Sequence, residues 1–213
     1  MNALLIGATG ATGRDLLELL LKEEEIQQVD IFVRRAVDIK HNKLKIHVID
    51  FNKPEEWRTQ VKGDLLFSCL GTTLKAAGSK EAQWKIDHEY QYQFAKIAKE
   101  NNVNNYVLIS AANASTKSMF FYSRMKGQLE EDVKALQFSK TIIFNPPLLI
   151  RENTDRKMEV RGAKVIRFFN KLGLFRSQKP LPTKRLAEAM IKSVKVLGDG
   201  EYSVKGQEIL GYV

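Results

Sequence analysis

The sequence holds a single cysteine, Cys69, so no disulfide can close within the chain. Its three histidines, His41, His47 and His88, stand at spacings that match no metal signature, and no metal site is expected. Long hydrophobic runs are also lacking. The densest apolar stretches, around Leu16–Leu21 and Leu148–Ile150, fall far short of the roughly 20 residues that span a bilayer, so no membrane partner is expected. Met1 leads within a few residues into Leu4-Leu5-Ile6-Gly7, without the cationic start and cleavage site of a signal peptide; a cytoplasmic location is the expectation. No repeat and no Pro- or Ser-rich linker divides the chain, which points to one domain over residues 1–213. Negative charge is the scarcer sign: 25 Asp and Glu oppose 34 Lys and Arg, a net charge of +9. With 44% hydrophobic residues spread along 213 positions, disorder is excluded and one sizeable core is affordable.

Short apolar runs alternate with helical segments. Asn2–Ile6, Val29–Val33, Lys45–Ile49, Asp64–Ser68, Tyr106–Ser110 and Thr141–Asn145 read as strands. Ala11–Lys22 reads as a leucine-rich helix, Ser79–Asn101 as a long helix free of Gly and Pro, and Met119–Leu136 as another. Strands separated by helical crossovers imply an α/β fold: a doubly wound parallel sheet, Rossmann-like, with helices on both faces. Residues from about 151 to 213 read as a C-terminal, substrate-side elaboration. It carries a basic amphipathic helix around Val160–Leu172, a helix near Thr183–Leu197 and a short strand at Glu201–Val204. Ligands of such sheets lie at the carboxyl ends of the strands.

Between the first strand and the first helix lies Gly7-Ala8-Thr9-Gly10-Ala11-Thr12-Gly13-Arg14. Glycines at 7, 10 and 13 allow a tight turn and close approach of backbone to a pyrophosphate, which the helix N-terminus attracts with unpaired N–H groups. The second strand ends in Arg34-Arg35, 21 residues after Gly13, where NAD enzymes place a carboxylate for the ribose. Two guanidiniums favour a 2'-phosphate and hence NADPH, with Arg14 as a third cation. A helical Tyr122-Ser123-Arg124-Met125-Lys126 sets a phenol and an ammonium on one face at i, i+4, the pair that proton donation to a carbonyl needs.

In its G-x-x-G-x-x-G spacing, its Tyr122 and Lys126, and the runs Cys69-Leu70-Gly71-Thr72-Thr73, Lys75–Ser79, Asp87 and Phe120–Gly127, the chain resembles atypical short-chain dehydrogenases/reductases. Within that family it looks most like the branch of Tat-interacting-protein-like oxidoreductases. The resemblance implies that Asp50 and Phe51 meet the adenine and that Leu70, Gly71 and Thr72 lie along the cofactor. It further implies that Lys126 bonds the nicotinamide ribose, that Pro147 and Leu148 pack on the nicotinamide, and that Ser110 polarises the substrate carbonyl. Relatives carry a second serine where this chain has Ala111, which leaves Asn113 and Ser115 as alternatives to Ser110; Asn145 and Pro147 depart from the usual Arg-Pro-Gly. A homodimer is implied as well.

Two functions follow as expectations. One is an NADPH-dependent oxidoreductase acting on a small carbonyl; Met119, Phe120 and Phe121 and Phe168, Phe169, Leu172, Leu174 and Phe175 would give its pocket an apolar character, although aromatics at such spacing read more readily as core. The other is an NADPH-holding redox sensor with little turnover, offering the basic segment Arg156–Lys171 to a partner. Cys69 reads as a packed residue rather than a nucleophile, since no histidine stands in its motif. No recognition motif marks a specific nucleic-acid partner.

Overall fold

The computed structural model describes residues 1–150 and 180–213. Five strands form in close agreement with the apolar runs: β1 Asn2–Ile6, β2 Gln28–Val33, β3 Leu44–Val48, β4 Leu65–Ser68 and β5 Asn105–Ile109. They are joined by β6 Lys140–Asn145, the two-residue β7 Leu149–Ile150 and β8 Leu181–Pro182, and β9 Gly200–Lys205. Seven of them make one sheet in the order β3-β2-β1-β4-β5-β6-β9, every pairing parallel; β7 and β8 pair separately. The strand predicted at Glu201–Val204 thus lies in the main sheet.

Alternation along β1 sorts the two cores. Ala3 and Leu5 face α1 Ala11–Lys22 and the helix Thr183–Val196, whose Leu186 and Met190 are buried with Leu16 and Leu20. Leu4 and Ile6 point to the other face, where Phe94 and Ala98 of the helix Tyr90–Glu100 and Leu129 and Val133 of the helix Phe121–Lys134 cover them. A parallel strand buried on both sides carries no polar face, which is why β1 and β4 are apolar almost throughout.

The helix predicted over Ser79–Asn101 is broken. Lys80–Trp84 winds as an α-helix, Lys85–Glu89 as a π-turn, and Tyr90–Glu100 as an α-helix again. The wider turn carries Asp87 and His88 both inward to burial, and π-turns recur at functional positions. Shorter helices at Pro54–Trp57 and Leu74–Ala77 have too few residues to show a period in the sequence. The helix predicted from Met119 begins at Phe121. Numbered in chain order, the α-helices of the described residues are α1, α2 Pro54–Trp57, α3 Leu74–Ala77, α4 Lys80–Trp84, α5 Tyr90–Glu100, α6 Phe121–Lys134 and α7 Thr183–Val196.

Lys140 opens β6 in a largely apolar setting, yet its ammonium is satisfied. Nζ donates to the carbonyls of Val194, at 2.9 Å, and Leu197, closing the C-terminal end of α7 where the helix dipole is negative. Lys140→Met is expected to lower the unfolding free energy by about 2 kcal/mol, measured by urea denaturation, because two buried carbonyls lose a charged donor. An unchanged midpoint would show that water replaces it without cost.

Candidate functional site

Immediately after β1 the chain turns at Gly7, whose φ of +83° is left-handed and favours glycine. The Gly10 N–H donates to the Gly7 carbonyl at 2.9 Å, and the Arg14 N–H to the Gly10 carbonyl at 3.1 Å, so the turn runs directly into α1. No side chain caps that helix and its first turn holds no acid, which leaves its N–H groups and positive dipole end to a ligand. Side chains are sterically barred from the cradle. A Cβ at Gly13 would stand 2.1 Å from the Gly7 carbonyl oxygen, and one at Gly7 2.4 Å from the Cys69 carbonyl carbon. The donor set and the space fit a dinucleotide pyrophosphate.

A cleft opens over this loop at the switch point between β1 and β4, the place such sheets reserve for ligands. Gly7, Thr9 and Gly10 line it from below, Phe32 and Arg34 from β2 and its end, Phe51 and Ile86 from the segments after β3 and on the π-turn, and Leu70, Gly71 and Thr72 from the β4 loop. Arg34 and Arg35 are both exposed, but Arg34 alone lines the cleft; Arg14 is exposed and Thr12 buried, both off its wall. The Asp50 carboxylate is taken up by its own turn, accepting from the Asn52 backbone N–H at 2.9 Å and side-chain amide at 2.8 Å, while buried Phe51 stacks on Tyr90. Those bonds hold the Asp50 carboxyl below the usual range. Cys69 is partly buried, its backbone close against Gly7, and desolvation pushes its thiol up, in keeping with a packed residue.

The second half of the site stands on α6. Gly127 lets that helix press against the preceding loop: a Cβ there would lie 2.3 Å from the Ser115 carbonyl carbon, and the Ser115 N–H donates to the Ser123 carbonyl at 3.0 Å. Tyr122 is 43% exposed, and Lys126 on the same helix face is 2% exposed. Desolvation, reinforced by the Asp87 carboxylate, pushes the Tyr122 phenol up to about 12. Burial pulls the Lys126 ammonium down, opposed by the charges of Asp87 and Glu130. Asp87 in turn is raised by its own burial, against the favourable Lys126 charge and its hydrogen bonds. That carboxylate accepts the Thr72 N–H at 2.7 Å and so ties the cofactor-side loop to the lysine. Asp87 had only a resemblance to mark it in the sequence, because a carboxylate in a helix is ordinarily solvated.

Ser110 is buried, and its hydroxyl donates to the Glu130 carboxylate. The Asn145 side-chain amide donates to that same oxygen at 2.6 Å and to the Ala111 carbonyl at 3.0 Å, and its own oxygen accepts from Ser203 at 3.0 Å. Glu130 therefore gathers the ends of β5, β6 and β9. Nothing in the sequence marked it, although its step of four from Lys126 puts it on the same face of α6 as Tyr122 and Lys126. Asn145, standing where relatives carry an arginine, is a neutral donor suited to this network. Of the alternatives to Ser110, Asn113 and Ser115 are both exposed; Pro147 is buried and Leu148 is 46% exposed. Met119 and Phe120, predicted to give a pocket apolar walls, are 94% and 78% exposed instead, while Phe121 packs beside Trp84. Their place at the uncapped start of α6 turns them outward. The segment Arg156–Lys171 and the residues Phe168, Phe169, Leu172, Leu174 and Phe175 lie outside the described residues.

A family model described as NAD(P)H-binding matches residues 7–168, from the first glycine onward. The chain belongs to this NAD(P)H-binding family. Among curated relatives, "Protein fmp52, mitochondrial" of Emericella nidulans is 36% identical over 176 residues, covering 79% of this chain and 74% of that protein. "Protein FMP52, mitochondrial" of Meyerozyma guilliermondii is 39% identical over 156 residues, covering 71% of this chain and 66% of that one. These findings overturn the expectation of a cytoplasmic place, since the relatives bear a mitochondrial name. Its basis, the lack of a signal peptide, speaks only to secretion. Among solved structures, MoeE5 in complex with UDP-glucuronic acid and NAD superposes with a TM-score of 0.74 at 13% identity, over 96% of this chain and 76% of the other. The oxidoreductase ylbE from Lactococcus lactis gives 0.69 at 17% identity, over 100% and 96%. The fold of this NAD(P)H-binding protein is thus Rossmann-like and shared with dehydrogenases and epimerases.

Proposed function

We propose that this NAD(P)H-binding protein is an NADPH-dependent oxidoreductase that reduces a small carbonyl compound. The observation that carries the reading is that Tyr122 and Lys126 share one face of α6 and both feel the Asp87 carboxylate, which is bonded to Thr72 on the wall of the cleft that begins with the glycine cradle. When bound, the cofactor supplies the hydride. Arg34, at the rim of that cleft, with Arg35 beside it, meets the 2'-phosphate by charge-assisted hydrogen bonds. Tyr122 donates the proton: a phenol raised to about 12 is fully protonated at neutral pH. Lys126, whose ammonium form the charges of Asp87 and Glu130 favour against its burial, steadies the phenolate left behind. Ser110 orients the substrate oxygen once its hydroxyl turns from Glu130, and Leu148 and Pro147 flank the nicotinamide end. The mitochondrial names of the relatives support a mitochondrial place for this chain.

A second reading, a redox sensor that binds NADPH with little turnover, draws on one bond. The only hydrogen of the Ser110 hydroxyl is engaged by a carboxylate. The two readings share a first experiment, titration with NADPH and with NADH followed by nicotinamide fluorescence, on the native chain and on Arg34→Ala/Arg35→Ala. Selective NADPH binding is expected, weakened about 10- to 100-fold in the double variant with NADH unaffected, as two charge-assisted contacts imply. Equal affinity for both nucleotides would overturn the preference, and binding of neither would overturn both readings. Steady NADPH oxidation with a carbonyl panel then separates reductase from sensor.

A further inference from the structure

The loop between β5 and α6 ends in two large apolar side chains that join neither core of the described residues. Met119 is 94% exposed and Phe120 78% exposed. Scattered single apolar residues are normal on a surface, but two adjacent ones at nearly full exposure mark a place of contact. Leu74, which opens α3, and Leu148, in the turn after β6, are each 46% exposed at this same end of the sheet. Positive charge predominates around the tip, although Glu81 stands beside Lys80. Residues 101–129 contain no Asp or Glu, whereas Lys117 and Arg124 flank the tip and Lys80 stands 5.7 Å over the Phe121 ring. The Arg124 guanidinium donates to the carbonyls of Ser118, at 2.8 Å, and Met119, at 3.2 Å, so the tip has a fixed shape. Among the described residues, Lys75, Lys80, Lys117 and Arg124 take part in no ion pair.

Two side chains offer far less than the roughly 800 Å² per partner that a stable protein interface covers. A bilayer makes no such demand: it admits a small apolar tip to a depth of about 5–10 Å, while anionic headgroups attract the cations beside it. We propose that this tip docks on the surface of a bilayer rich in anionic lipid, with Met119 and Phe120 inserted below the headgroups and Lys75, Lys80, Lys117 and Arg124 against the phosphates. Contact of this kind needs no span, and no helix of the described residues is long and apolar enough to cross a membrane. Such docking departs from the sequence-based expectation of no membrane partner. The docking does not depend on the oxidoreductase reading.

Co-sedimentation with vesicles tests it, using the full chain at low salt and vesicles of phosphatidylcholine alone or with one-third phosphatidylglycerol. The native chain is expected to sediment with the anionic vesicles and to stay free of the neutral ones. Met119→Ser/Phe120→Ser is expected to weaken the anionic binding at least about tenfold, as the loss of two buried apolar side chains implies. Lys75→Ala/Lys117→Ala is expected to weaken it less, and raised salt to weaken the native binding by screening. Failure of the native chain to sediment overturns the proposal. So does native-like sedimentation of the Met119→Ser/Phe120→Ser chain, which would assign the attraction to the overall positive charge. Both serine substitutions lie off the cofactor cleft, so NADPH affinity is expected to be unchanged; that titration keeps the vesicle result separate from the fate of the cofactor reading.

Discussion

A methyl group at position 13 is expected to abolish nucleotide binding and to lower the unfolding free energy by more than about 4 kcal/mol. The reason is geometric. In Gly13→Ala the new Cβ would stand 2.1 Å from the Gly7 carbonyl oxygen and 2.8 Å from its carbon, and both neighbours are backbone. The Gly7 carbonyl cannot retreat without breaking its hydrogen bond from the Gly10 N–H, and Gly7 itself is hemmed in by the Cys69 backbone. The strain therefore passes from α1 through the turn to β4 rather than dissipating in a flexible side chain. Gly198→Ala serves as the comparison, because nothing lies within 4 Å of its added Cβ, and it is expected to stay within about 0.5 kcal/mol of the native chain. Urea denaturation of both variants, with NADPH titration of each, is the measurement. A Gly13→Ala protein of native stability that still binds NADPH would show that the turn is not the rigid cradle described.

Tyr122→Phe is expected to lower carbonyl turnover by about 10²- to 10⁴-fold while NADPH affinity changes less than about twofold. The ring stays, so packing at this 43% exposed position is kept; only the proton is removed. The phenol, raised to about 12 by desolvation and by Asp87, fixes the sign of the pH dependence. Its protonated form serves reduction throughout the neutral range, and reduction is lost only as pH climbs toward 12. The reverse oxidation needs the phenolate and is expected to rise tenfold per pH unit below that value. Initial rates in both directions, on the native chain and the variant, decide the matter. Undiminished reduction by the phenylalanine variant would take the proton from another group.

How far the site could be read in advance differs between its two ends. The glycine loop, Arg34, and the Tyr122–Lys126 step are local patterns: each is a spacing along one element, and the periods of helix and strand turn spacing into a shared face. Ser110 was named from its place after a strand, but its partner was not. The Ser110–Glu130–Asn145–Ser203 network joins three strand ends to one helix across long separations in sequence, and a lone Glu on a helix carries no mark of what it will meet. Asp87 is similar, because its burial follows from a π-turn that an uninterrupted apolar period conceals. Met119 and Phe120 read in the sequence as core or as a pocket wall, and only the fold shows both side chains turned outward.

The sequence by itself determined the architecture, the order of strands and helices along the chain, the cradle for a pyrophosphate and the helix face bearing phenol and ammonium. These rest on periodicity and on the steric freedom of glycine, which act over a few residues. Tertiary structure alone decided which carboxylates stand beside Lys126, what holds the Ser110 hydroxyl, which of the two arginines lines the cleft, and where the apolar tip points. Those are matters of burial and of contact between distant segments, and both emerge only when the sheet brings the loops after β4, β5 and β6 to one edge.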